Sequence, residues 1–434
     1  MTEIHGKRTR LALQRGISAA LLGSIGLLAG ISASAASPQT PVDALRACTQ
    51  QDAVETLPPL LPLDPPIVNI IAPLPVDQCQ GPQNTAALTN ASARATRNAV
   101  DQMQNALLNG GGALLVFGVQ PKGRFAHTEH DGFTTRINPT FRGPDFEEDE
   151  VTVLANVGID LTKHLNMNPN RTWKVGVFAG YDNIEVDMGT TPFVQNTLGL
   201  ASVGSGENDS FIVGGYSLMT WKNLYMLSIL SGNWGETDVN NAVLASTGSY
   251  DTDGFASGTA IGAVLTLRPG GHGGMKDGPS GVNPIKLDVR AGYSYSHHEG
   301  DGFTDSVGFR TGDSEVEQLD GSFSATLFTE IPKGDAVWKP YVKGGVKHRF
   351  DYDNTIDLPA QTIANTAFNA QTIDFDDDDT FWNVEGGLVI ARSRTKFNAS
   401  VYYQGSDDVD TVGGRLGLTF QLGQRAAAPP ESMK

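Results

Sequence analysis

The stretch Ile285-Lys286-Leu287-Asp288-Val289-Arg290-Ala291-Gly292-Tyr293-Ser294-Tyr295-Ser296-His297 decides the fold. Ile285, Leu287, Val289, Ala291, Tyr293 and Tyr295 alternate with Lys286, Asp288, Arg290, Gly292, Ser294 and Ser296. Strand side chains alternate between faces, so one face here is apolar and the other charged or small. A soluble sandwich would bury the apolar face in a core. A membrane barrel would turn it to lipid and keep the charged face in its lumen.

The same period recurs on both sides. Val151, Val153, Ala155, Val157, Ile159 and Leu161 make one apolar face, and Trp173, Val175, Val177, Ala179 and Tyr181 the next. Phe323, Ala325, Leu327 and Ile331 continue the series, as do Phe397, Ala399, Val401 and Tyr403, then Leu416, Leu418, Phe420 and Leu422. Aromatics stand near the ends of runs, Trp173 with Tyr181 and Trp338 with Phe350. Eight residues span roughly 27 Å along a strand, a spacing that fits two interfacial aromatic girdles.

The pattern predicts twelve strands, at 113–125, 149–162, 173–186, 209–220, 224–234, 254–268, 285–297, 318–331, 337–350, 380–390, 395–404 and 411–422. Five long loops (126–148, 187–208, 235–253, 298–317, 351–379) and a shorter one (405–410) alternate with turns at 163–172, 221–223, 269–284, 332–336 and 391–394. Most turns are shorter than the loops, 269–284 being the exception. Outer-membrane barrels alternate in this way, with long loops outside and short turns in the periplasm. The expected fold is all-β, an antiparallel transmembrane barrel of about twelve strands over residues 113–422.

Upstream, residues 84–112 read as a helix and its stop. Asn84 or Thr85 can cap it, and Gly110-Gly111-Gly112 ends it. Leu88, Ala91, Ala95, Ala99, Met103 and Leu107 form a narrow apolar stripe, and Arg94, Arg97, Asp101 and Gln104 lie elsewhere. Such a helix fits either a polar barrel lumen or the surface. Residues 36–83 carry Pro58, Pro59, Pro62, Pro65, Pro66, Pro73 and Pro75, which break helices and inner strands.

The N-terminus, residues 1–35, has the layout of a cleaved export signal: Lys7, Arg8, Arg10 and Arg15, an uncharged run from Ile17 to Ile31, then Ala33-Ser34-Ala35. A membrane anchor is the alternative, though the run is short for a spanning helix. Cys48 and Cys79 both follow the cleavage point, and two exported cysteines are most simply one disulfide. The net charge of −17 argues against nucleic acid as a partner.

Trp338-Lys339-Pro340-Tyr341-Val342, Asn383-Val384-Glu385-Gly386-Gly387-Leu388 and Gly413-Gly414-Arg415-Leu416-Gly417-Leu418-Thr419-Phe420 resemble the last strands of autotransporter translocator barrels. With the order of signal, exported segment, helix and barrel, the resemblance covers about 84–422. It implies an outer-membrane barrel that anchors or exports a short N-terminal segment. It also implies outer-membrane lipid, lipopolysaccharide and the barrel-assembly machinery as partners, a monomer, and no cofactor. Gly414, Leu416, Leu418 and Phe420 are then the candidates for the insertion signal. The chain departs from the pattern by continuing past Phe420, through a tail at 423–434, and by its short exported segment. An open diffusion channel is the second reading, and an outer-membrane enzyme the third.

Catalytic chemistry has little support. Gly312-Asp313-Ser314 resembles the start of a Gly-Asp-Ser-Leu esterase motif, but Glu315 stands where the Leu belongs. His127, His130, His297 and His298 are expected to be solvated residues in loops or near a strand end, with metal binding or proton transfer by either pair as the alternative. Asp374, Asp376, Asp377, Asp378 and Asp379 form the one acidic candidate for a divalent cation, against the simpler reading of a solvated acidic loop. Lys174, Asp182, Lys286, Asp288, Arg290, Arg415 and Gln421 are expected to face the lumen.

Overall fold

A computed structural model of the chain describes residues 74–108 and 118–421, apart from short stretches of the connections. The signal, the tail and Cys48 lie outside the described residues, as does the side chain of Cys79, so the disulfide does too.

Twelve long strands form the wall: β1 Gly118–His130, β2 Phe146–Asp160, β3 Arg171–Met188, β4 Gly204–Trp221, β5 Leu224–Asn241, β6 Ser246–Arg268, β7 Ile285–Gly300, β8 Ser314–Thr329, β9 Ala336–Leu358, β10 Thr380–Arg392, β11 Thr395–Gly405 and β12 Val409–Gln421. Each pairs antiparallel with its sequence neighbours. Closure comes from β1, where Gly123 stands opposite Val153 of β2 and Leu416 of β12. No long strand therefore has a free edge, which removes the unpaired backbone that lipid could not satisfy. Tight turns set the register at one end. Lys222-Asn223 and Ser393-Arg394 place Lys222 and Ser393 at φ 57° and 51°, the twist-compatible geometry of two-residue hairpins.

All twelve predicted strands are present, but several run further toward the long-loop end than the apolar alternation indicated. The stretch 235–253, expected as a loop, is mostly ladder: Glu236 pairs with Asp251 and Asn241 with Ser246. Likewise β7 extends to Gly300, β8 begins at Ser314, and β9 continues to Leu358. In these extensions the alternation has the opposite sign. Along β3, Asn183, Glu185 and Asp187 face outward while Ile184, Val186 and Met188 are buried inside. Period two survives, but the apolar residues have changed face.

Below the extensions the outward face is the expected apolar band. Val153, Val177, Phe211, Leu230, Ile261, Phe323, Val342 and Val401 are all exposed there. Arg290 and Asp288 are buried inside, as the register of β7 required.

The helix, α1, spans Leu74–Leu108 and so begins upstream of the expected Asn84. Pro75 is tolerated in its first turn, where the missing N–H has no helical partner to lose. Among the described residues no helix is long and apolar enough to cross a membrane.

Candidate functional site

The site is the lumen, and α1 occupies it. Small side chains make this possible: Thr85, Ala86, Ala87, Leu88, Thr89, Asn90, Ala91, Ser92 and Ala93 run consecutively, and each is buried. The apolar stripe expected from sequence is real at Leu88, Ala91, Ala99, Met103 and Leu107. The polar positions Arg97, Gln102 and Asn105 are buried as well, because wall surrounds the helix on every side.

Three zones hold it. Where the strands extend, Ala86, Ala87, Leu88 and Ala91 pack against a collar that includes Phe146, Ile184, Met188, Val239, Ile356 and Phe375. A Cβ on Gly206 would come within 2.4 Å of the Leu88 side chain, so glycine is what lets β4 approach the helix. Thr89 adds hydrogen bonds with Ser314 (2.9 Å) and Tyr250 (3.3 Å). Beside the collar, further along the helix, the contacts are polar. Arg94 forms an ion pair with Glu148 and donates to His130 Nε2 at 2.7 Å. Asn98 donates to Glu150 at 2.8 Å, Glu150 also pairs with Arg124, and Arg97 reaches Ser296 at 3.4 Å. Toward the short-turn end, Ala99, Val100, Met103, Leu107 and Leu108 pack on Leu154, Phe178, Ile212, Leu218 and Leu227 of β2–β5.

The remaining wall is polar and less filled. Lys343 donates to Asn105 at 2.8 Å, and Glu385 accepts from Tyr341 and from Arg415, both at 2.9 Å. Arg415 also lies over the Tyr402 ring, 3.9 Å from its centroid. Beside these groups is a cavity of about 80 Å³ lined by Asp101, Gln104, Arg290, Lys343, Glu385 and Arg415. A second, of about 30 Å³, lies near Gln102, Lys122 and Lys396. Spaces of this size hold a few waters each.

The lumen-facing set predicted from sequence is placed as expected for Lys174, Asp182, Asp288, Arg290 and Arg415, and Lys286 bonds Glu330 at 3.2 Å near one mouth. Gln421 ends β12, and its side chain lies outside the described residues. The insertion-signal candidates Gly414, Leu416, Leu418 and Phe420 share the outward face of β12, where the Phe125 ring covers Gly414.

Other expectations change. The four histidines sit in strands and part by face: His130 and His298 are buried in the lumen, His127 and His297 face outward. Ser314 is a buried strand residue that holds Thr89. Of the acidic loop, Asp374 and Asp376 lie on a short strand, Gln371–Asp376, that pairs with β9, and the Asp379 carbonyl accepts from Arg349 N–H at 2.6 Å. Asp377 and Asp378 lie outside the described residues. Sequence reasoning missed the collar and the Arg94–Glu148 pair. The signal for the collar was the inverted alternation at 183–188 and 236–241.

A family model described as the autotransporter beta-domain matches residues 150–404. The fold is similar to the translocator domain of autotransporter NalP from Neisseria meningitidis, at 14% identity and a TM-score of 0.53, over 76% of this chain and 97% of that one. It is also similar to the transport unit of the autotransporter AIDA-I from Escherichia coli, at 12% identity and a TM-score of 0.51, over 75% of this chain and 98% of that one. No curated protein matches the sequence.

Proposed function

The chain belongs to the autotransporter β-domain family, and we propose that it sits in the outer membrane as a translocator that carries its own N-terminal segment to the cell surface and then keeps α1 as a plug. The observation that supports this most is the direction of the helix. Leu88 lies in the collar at the long-loop end, whereas Leu108 lies at the end of the tight turns, near Lys222 and Phe328. With short turns in the periplasm, the N-terminal end of α1 points to the outer side.

The interior supports plugging over open diffusion. Polar atoms on α1 meet polar atoms on the wall beside the collar, and the cavities along its middle, of about 30 and 80 Å³, hold only a few waters each. β1 closes the wall on β12 without a second copy, which favours a monomer. The apolar band meets outer-membrane lipid and lipopolysaccharide, and the outward face of β12 is offered to the barrel-assembly machinery.

Protease added to intact cells tests the direction. Residues 40–80 should be cut or bound by antibody without permeabilising the cell. Protection until the outer membrane is opened would place them in the periplasm and overturn the reading.

A further inference from the structure

The outward face of β6–β9, above the apolar band, gathers donors that the lumen does not use. His297 stands directly opposite Glu317 in the β7–β8 ladder, and Glu299 stands opposite Glu315. One ligand atom from each of His297, Glu315 and Glu317 lies within 4.8 Å of the others, and all three side chains are half-buried. Zinc bonds of roughly 2.0–2.2 Å would draw such donors together by side-chain rotation alone.

Two contacts favour a metal centre over a loose acidic patch. His297 Nε2 is 2.8 Å from Glu299, while Nδ1 points toward Glu315 at 3.5 Å. This leaves Nδ1 available to a metal and gives Nε2–H a carboxylate acceptor, the arrangement that fixes a ligating imidazole. Tyr295 donates its hydroxyl to Glu317 at 2.8 Å and so orients the second carboxylate. The outward neighbours Asp253, opposite Glu299, and Asp353, opposite Glu317, add negative charge.

We propose that His297, Glu315 and Glu317 form a divalent-cation site on the outer wall of the barrel. The imidazole makes it selective for a transition-metal ion such as Zn²⁺ over Mg²⁺, which prefers oxygen ligands and retains its waters.

Calorimetric titration of the folded full chain in detergent with ZnCl₂ tests this, folding being checked by heat-modifiable gel migration. One Zn²⁺ should bind per chain. His297→Gln and Glu317→Gln should each weaken binding at least tenfold. His127→Gln removes another outward histidine, paired with Asp149 at 2.8 Å, and should leave binding unchanged. MgCl₂ should give no saturable heat. Absence of saturable Zn²⁺ binding, equal affinity in the His297 and Glu317 variants, loss in His127→Gln, or equally strong Mg²⁺ binding would each overturn the proposal.

Discussion

The apolar band and the strand extensions above it are the same wall with its amphipathicity reversed. In the band, Val153, Val177 and Leu230 face outward while Thr152, Lys174 and Asn233 are buried inside. In the extensions, Glu185, Glu236 and Asp253 face outward while Ile184, Val239 and Tyr250 are buried inside. The solvent explains the difference. Lipid rewards an apolar exterior, so the band keeps charged residues such as Lys174, Asp288 and Arg290 on its inner face. Above the lipid the exterior is wet, and the wall behaves like that of a soluble barrel, with apolar residues inside gripping Ala86, Leu88 and Ala91. The hydrophobic effect thus grips the start of the helix, and hydrogen bonds and ion pairs position its middle.

This contrast can be broken by substitution, with stability read as the urea midpoint of the refolded barrel. The largest effect is expected inside the extensions. Ile184→Ala and Ile356→Ala remove fully buried side chains from the collar and should each cost about 2–5 kcal/mol. If both were silent, the extensions would not be packed on the helix.

Next comes outward charge. Val177→Arg places a cation on the lipid face and should cost about 2–4 kcal/mol at mid-depth, with poor assembly into vesicles. Glu185→Arg, eight residues further along the same face of β3, should stay within about 0.5 kcal/mol. Equal penalties would mean that the change of solvent lies elsewhere along the strand.

The smallest effect tests the polar fastening. Thr89→Val removes the hydrogen bonds to Ser314 and Tyr250 but keeps the side-chain volume, so about 1 kcal/mol should be lost. A loss as large as that of Ile356→Ala would show that polar contacts hold the helix start.

The strands of the band were legible because lipid imposes a plain rule at every second residue, as in Ile285–Tyr295. The extensions were not, because a run such as Glu236-Thr237-Asp238-Val239-Asn240 reads as a polar loop when apolar residues are expected outside. The helix was legible as a helix, but its surroundings were not. Burial of Arg94, Arg97 and Asn98 depends on Glu148, His130, Ser296 and Glu150, partners distant in sequence that local pattern does not connect. For the same reason the histidine pairs read locally as residues of loops or a strand end. Once residues 127–130 and 297–298 lie in strands, neighbouring histidines must part to opposite faces.

The central claim is that α1 fills a closed lumen. Conductance in planar lipid bilayers tests it most directly, comparing the intact chain with one lacking residues 74–108. The intact barrel should stay nearly closed, and the deletion should produce stepwise, ion-conducting openings. Equal conductance in the two, whether both open or both closed, would contradict the account.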